Sequence, residues 1–248
     1  MSNPPLYASK AAYYARYRWD YAPDAIAALF AAVGLSNQTV VADLGAGTGI
    51  LTQHFVGKTK MVYALEPEAE MRAQLEKALG GNPTCQIVNR RAENTGLPDH
   101  SIDLITVGQA IHWFEPQPAR TEFLRILKPA GWLALLRNYG TDDVYEKAVA
   151  PLYRNFSASG LYDRVVRSSA DFYFGKDRFQ TLCFPFEFSL DWESFLGALL
   201  SSAMTPNEAS PDFGEFVAQA RQIFDRLAQN GRVVSTGETG LILGRIGK

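Results

Sequence analysis

Cysteine is scarce in this chain, with Cys85 and Cys183 the only two in 248 residues. Neither sits in a metal-ligand spacing, which excludes a disulfide framework and a structural zinc site. Both read as packing residues of a reducing compartment. Histidine is limited to three, and no convincing acid–base pair of side chains stands out. No metal is expected. An excess of either charge is missing too: 24 Lys and Arg stand against 26 Asp and Glu, for a formal charge of −2. No basic stripe runs along the chain, and Arg90-Arg91 is too short to track phosphates, so tight nucleic-acid binding is not expected. There is no apolar run of ~18 residues and no apolar start, so neither a membrane span nor secretion is expected. A cytoplasmic location is. Repeats and low-complexity tracts are absent as well.

What is present is an apolar composition of 47% with 12% aromatics, enough for a substantial core. The length suits one domain with an insertion, or two unequal lobes. Strand-like runs near 39–43, 61–65, 85–89, 102–107 and 132–137 alternate with helical patterns. Such alternation predicts a parallel sheet with right-handed crossovers. After Arg137 the rhythm breaks. Residues 141–175 read as an amphipathic helix plus aromatic loops, with Tyr153, Phe156, Tyr162, Phe172, Tyr173 and Phe174. Phe179 to Leu190 alternates with period two and predicts a strand. Trp192 to Ala203 and Phe213 to Leu227 predict helices, and Leu241 to Ile246 a final strand.

The densest information lies in Val40-Val41-Ala42-Asp43-Leu44-Gly45-Ala46-Gly47-Thr48-Gly49-Ile50-Leu51. An apolar strand ends in an acid, three glycines follow at alternate positions, and a helical pattern begins at once. Glycine allows close backbone approach and positive φ. A following helix would offer unpaired N–H groups and a positive dipole end. This is the layout of a nucleotide-type cofactor site at the carboxyl edge of a parallel sheet. A dinucleotide fingerprint needs a third glycine where Ile50 stands. Asp43 would also sit badly beside a pyrophosphate. It suits a cofactor with a cationic amino group and no phosphate, such as S-adenosyl-L-methionine.

At this point the chain resembles the class I methyltransferases, in the small-molecule branch of ubiquinone/menaquinone-type and trans-aconitate-type enzymes. The resemblance covers roughly residues 10–137 and is weaker beyond. It implies an α/β, Rossmann-like, doubly wound seven-stranded sheet, mostly parallel with one antiparallel edge strand, plus a helical and aromatic cap. Residues 1–35 would form an N-terminal helical lid and 36–140 the cofactor-binding core. Residues 141–178 would be a cap insertion, and 179–248 would complete the sheet and helices.

Gly45, Ala46, Gly47, Thr48 and Gly49 would then form the cofactor loop. Glu66-Pro67 follows the next strand, about 20 residues on, where this architecture puts a carboxylate on ribose hydroxyls. One carboxylate can accept two hydrogen bonds from a vicinal diol. The resemblance further implies Met71 against the adenine, and Ala92 and Glu93 beside its exocyclic amine. Asp103 reads as orienting the start of its strand. Gln109 would contact cofactor or substrate, and His112 and Trp113, directly after that strand, would hold a substrate carboxylate. For an isolated histidine, packing is the ordinary role; the position of His112 argues otherwise. Within Tyr13-Tyr14-Ala15-Arg16-Tyr17-Arg18-Trp19-Asp20-Tyr21, Arg18 matches the arginine that pairs with the cofactor's carboxylate, although Trp19 stands where the family often has proline.

The expected activity is methyl transfer to a small molecule, with O-methylation of a small organic acid favoured. Two other readings stay open. One is a C-, N- or phenolic O-methyltransferase on an aromatic or isoprenoid compound. The other is a non-catalytic cofactor-binding protein. A dinucleotide oxidoreductase is a distant third. The protein is expected to be a monomer or homodimer.

Overall fold

The computed structural model describes residues 9–157 and 169–247. Tyr162 and the rest of 158–168 in the expected cap lie outside the described residues, as do residues 1–8 of the expected lid. The described chain divides into two compact units, one of 1–19, 138–165 and 185–238, the other of 20–137, 166–184 and 239–248. These units cut across the four consecutive segments expected from sequence, because long C-terminal strands contribute residues to both.

The sheet has seven strands: β1 (Val40–Leu44), β2 (Met61–Leu65), β3 (Cys85–Val88), β4 (Ile102–Gly108), β5 (Leu127–Gly140), β6 (Phe179–Leu190) and β7 (Val233–Gly244). Their order is β3-β2-β1-β4-β5-β7-β6. The first five pair in parallel, and the sheet is completed by antiparallel edge strands. The order reverses between β1 and β4, which is where open α/β sheets bind ligands beyond their carboxyl ends.

In the unit that carries β1 to β4, alternation sorts side chains to two faces. Val41, Val62 and Leu104 bury one face with Ile26, Leu29 and Phe55. Ala42, Leu44 and Ile105 bury the other with Phe123 and Ile126. Helix α2 (Pro23–Val33) starts on a proline and ends at Gly34, which adopts φ +63°. Helices α3 (Ala69–Leu79) and α4 (Pro116–Ile126) complete the crossovers. Asp103 ties two strand starts together, accepting from Val40 N–H at 2.9 Å and from Lys128 Nζ at 2.7 Å.

Three sequence expectations need correction. No α-helix follows the glycine loop; the link from β1 to β2 holds only a 3₁₀ turn at Thr52–His54. Three residues make too few aligned peptides for a useful dipole. The Pro129–Gly131 turn is a bulge inside β5, since Ile102 pairs with Leu127 while Leu104 pairs with Trp132. Finally, the last strand begins at Val233, well before Leu241.

The other unit is mainly helical. Helix α5 (Asp143–Phe156) is capped by Asp142, whose side chain accepts from the Val144 and Tyr145 amides. Helix α7 (Trp192–Leu200) is capped by Asp191 through Ser194 N–H. Tyr145, Val149 and Leu152 of α5 meet Phe195 and Leu199 of α7 and Phe216, Ala220 and Phe224 of α8 (Phe213–Leu227). Each set recurs at three- and four-residue steps, one helix face apiece. Helix α1 (Ala11–Tyr17) docks where Gly197 leaves room, the Tyr17 ring filling the space of an absent Cβ. Helix α6 (Ala170–Phe174) belongs instead with the sheet-bearing unit, burying Tyr173 and Phe174 in the Phe123 cluster.

Candidate functional site

The site grows from the end of β1. Asp43 is 1% exposed. Its Oδ1 accepts from Thr106 Oγ1 at 2.9 Å, and its Oδ2 from Thr52 Oγ1 at 2.6 Å. Burial raises its carboxyl to about 6, against the pull of those two bonds. Thr106 sits opposite Asp43 in the β1–β4 register. Asp43 therefore pins β4 and the 3₁₀ turn to β1 from inside.

The glycine loop turns on its own backbone. The amides of Gly45 and Ala46 donate to Leu65 C=O, both at 2.9 Å, and Gly49 N–H donates to Ala46 C=O. Gly45 has φ +69°, and a Cβ there would lie 2.6 Å from Ala110 Cβ, so only glycine lets the segment after β4 close on the loop. Gly47, at φ +58°, is different: only the tip of Met71, at 3.8 Å, would meet its Cβ. Thr48 is buried, and its hydroxyl has no hydrogen-bond partner.

Glu66 stands at the end of β2, 6% exposed. Its Oε2 accepts from Gly47 N–H at 2.7 Å and its Oε1 from Glu68 N–H at 2.9 Å. Burial raises its carboxyl above the usual range, with the two backbone bonds working against the rise. Arg72 donates to the carbonyls of Glu66 and Pro67, fixing the turn into α3. Met71 is buried on α3 beside this loop.

Beyond β3, Ala92 is buried in the core. The Glu93 carboxylate accepts from Glu115 N–H at 2.9 Å and from Arg91 Nε at 3.2 Å. It thus joins the segment after β3 to the one after β4. Gln109 holds φ +56°, with its amide donating to Leu136 C=O at 2.9 Å. A non-glycine residue in that region is uncommon and costly, and such outliers cluster at functional sites. His112 and Trp113 follow in a 3₁₀ turn, their ring centroids 4.7 Å apart.

Sequence reasoning missed three residues here. Thr52 and Thr106 hold Asp43, and Tyr21 brings its hydroxyl end against Gly108 at the end of β4. A threonine mid-strand carries no distinguishing pattern, so only the register reveals Thr106. Arg18 lies in the helical unit, its guanidinium 5.4 Å from the Tyr14 ring centre. The hydroxyls of Tyr13 and Tyr17 are bound there by Glu208 and Glu193. His54 pairs with Asp20 at 2.7 Å, and His100 Nδ1 lies 2.9 Å from Leu127 C=O.

The amide commitments decide the ligand class. Gly45, Ala46, Gly47 and Gly49 spend their N–H groups internally, so those four amides do not cradle a pyrophosphate, and Glu66 would repel one. A carboxylate at the ends of β1 and β2, facing the switch point, defines a phosphate-free site on a Rossmann-like sheet. Residues 42–135 match a family model described as a methyltransferase domain.

A methyltransferase of Mycobacterium tuberculosis, itself uncharacterised, is 40% identical over 125 residues, covering 50% of this chain and 49% of that protein. The chain thus spans about half the length of the curated relatives it matches. Among solved structures, a candidate type II methyltransferase from Anaeromyxobacter dehalogenans aligns with a TM-score of 0.60 at 22% identity, over 92% of this chain and 98% of that one. A SAM-dependent methyltransferase from Thiobacillus denitrificans, in complex with S-adenosyl-L-homocysteine, aligns with a TM-score of 0.53 at 16% identity, over 99% of this chain and all of that one. At these identities the likeness is one of fold. Among the described residues no helix is long and apolar enough to cross a membrane, and no cluster of ligating side chains would hold a metal ion.

Proposed function

We propose that the protein transfers a methyl group from S-adenosyl-L-methionine to a small molecule, and that the acceptor is a small organic carboxylate. The single observation that carries the cofactor reading is the bond between Glu66 Oε2 and Gly47 N–H. It consumes the amide a phosphate would need and sets a buried carboxylate at the loop. Each Glu66 oxygen accepts one backbone N–H and retains a further lone pair, which suits a ribose diol. Thr48 supports the fit as well, since a buried hydroxyl without a partner is costly unless a ligand completes it.

When bound, the cofactor supplies an electrophilic methyl on a sulfonium. Glu66 holds the sugar, Met71 covers the adenine, and the Ala92–Glu93 segment meets its amine. Gly45, Ala46, Gly47 and Gly49 shape the loop, with Pro67 turning the chain away behind Glu66. Asp43 acts through Thr52 and Thr106 by keeping β1 and β4 in place. Gln109 presents the turn that carries His112 and Trp113, which orient the acceptor carboxylate through ring N–H groups. A carboxylate nucleophile is already ionised at neutral pH and needs no general base. The protein's task is then to hold it in line and exclude water, and proximity alone is worth ~7–11 kcal/mol.

An aromatic acceptor is less well served. Tyr173, Phe174, Phe195 and Phe216 are at most 1% exposed and fill the two cores, so these four rings are closed to an acceptor. The test is calorimetric titration with S-adenosylmethionine and S-adenosylhomocysteine, followed by a labelled-methyl screen starting with small carboxylic acids. Binding with no turnover of any acceptor would favour the non-catalytic reading. Absence of binding by folded protein would remove the cofactor assignment.

A further inference from the structure

In the sheet-bearing unit a short strap, Asp20-Tyr21-Ala22, meets the carboxyl end of β4 and is fixed at each of its residues. Ala22 N–H donates to Thr239 Oγ1 at 2.9 Å, and both residues are buried. Tyr21 is buried too, and its hydroxyl end fills the space that a Cβ on Gly108 would need. Leu51 Cδ2 would lie 3.0 Å from that same Cβ, so a glycine at 108 is what admits the tyrosine.

Asp20 is the third anchor. Its Oδ1 accepts from Tyr21 N–H at 2.7 Å and lies 2.7 Å from His54 Nε2. Against a carboxylate that ring nitrogen is the donor. Oδ2 accepts from Gln53 Nε2 at 3.4 Å. Three donors thus converge on one carboxylate, although its side chain remains 49% exposed. A pair this exposed adds little to global stability. What it fixes is local geometry.

That geometry belongs to the cofactor loop. Gln53 and His54 lie in the 3₁₀ turn Thr52–His54, which leaves the glycine loop. The turn is held from its other side by Thr52 Oγ1, which donates to Asp43 Oδ2 at 2.6 Å. Gln53 Nε2 also donates to Ile50 C=O at 3.1 Å, tying the turn back to the loop's end. The core therefore grips the turn through Asp43, and the strap grips it through Asp20. At its next residue the strap abuts Gly108, which directly precedes Gln109 at φ +56° and the turn of His112 and Trp113. One tripeptide touches the segment after the glycine loop and the segment that starts the proposed acceptor turn.

We propose that Asp20 and His54 form a clasp that holds the cofactor loop and the Gln109–Trp113 turn in a fixed relation, which makes both of them positioning residues for methyl transfer. Its effect on methyl transfer rests on the cofactor reading above. The clasp itself concerns only the strap and the two turns.

Two measurements on the full chain test it. Hydrogen exchange without ligand, read by mass spectrometry, reports the clasp, and calorimetry with S-adenosylhomocysteine reports its consequence. Asp20→Ala is expected to speed exchange about tenfold in both 50–56 and 108–114, with melting close to wild type. S-adenosylhomocysteine affinity should fall about fivefold in Asp20→Ala and in His54→Ala. The double variant should lose no more than Asp20→Ala alone, because the two residues share one bond. Asp20→Asn keeps an oxygen acceptor and should stay within about twofold of wild type. Additive losses overturn the clasp, as does faster exchange confined to one of the two segments, or an Asp20→Asn as weak as Asp20→Ala. Unchanged affinity in every variant overturns the positioning role. A folded wild type that binds no S-adenosylhomocysteine removes the cofactor reading instead, and exchange in the two segments then decides the clasp by itself.

Discussion

Glu66 receives the amide proton of Gly47 at 2.7 Å, across the gap between the ends of β2 and β1. That bond makes the loop a carboxylate-capped turn instead of a phosphate cradle. Glu66→Ala removes the acceptor of two backbone amides and of the proposed ribose. At about 1.5–3 kcal/mol for each hydrogen bond to a charged group, S-adenosylhomocysteine affinity should fall by about 100-fold or more. Calorimetry on a variant with native circular dichroism reads this, and an unchanged dissociation constant would move the sugar elsewhere.

Asp43 gives a signature in pH. Its folded carboxyl, raised to about 6 by burial, exceeds the unfolded value near ~3.9. The folded state therefore binds the proton more tightly, and stability declines as pH rises from about 4 to about 6, levelling off above. The full swing is about 3 kcal/mol. Asp43→Asn removes it, so the variant should gain on the wild type as pH rises through that window. Urea unfolding at several pH values between 4 and 7.5 would show it. Parallel curves for the two proteins would mean that Asp43 is not buried as a charge.

Close approach sets the third expectation. A Cβ at Gly45 would sit 2.6 Å from Ala110 Cβ, at a φ of +69°. Gly45→Ala should cost about 2–4 kcal/mol from strain and overpacking together. It should also displace the turn that bears Gln109 and His112. Gly57 is the control, since it has positive φ and no neighbour within 4 Å. Gly57→Ala should cost only the conformational part, about 1 kcal/mol. Equal losses at the two sites in denaturant midpoints would remove the packing argument.

His112 separates binding from turnover. If it orients the acceptor, His112→Ala should lower kcat/KM on the true acceptor by about 10–100-fold. Cofactor affinity should stay within twofold. Steady-state kinetics beside calorimetry would resolve the two, and unaltered kinetics would return His112 to a packing role.

Much of this was readable along the chain. β2 spans Met61–Leu65 and β6 Phe179–Leu190, as their apolar patterns predict, because strands report themselves through local runs and period two. Helix α8, Phe213–Leu227, is equally legible from its single apolar face. The glycine loop misled at one point. Apolar residues after Gly49 mimic a helix start, but Ile50, Leu51 and Phe55 serve the Val41 and Leu104 cluster from turns and a short 3₁₀ segment. Packing against the sheet outweighed local helix pattern there.

Linear order alone determined the class of site: an acid-ended strand, spaced glycines, a second strand ending in Glu66, and a turn carrying His112 and Trp113. These are local features, and their spacing survives any folding detail. Tertiary structure decided what each group does. Asp43 faces two threonines because strand register places Thr106 opposite it. The Gly47 amide is taken up because Glu66, 19 residues away, reaches it. Trp19 stacks on Phe188 because the packed chain brings together residues 169 positions apart. Hydrogen bonds and cavities are made by groups distant in sequence, and only the packed chain brings them within reach.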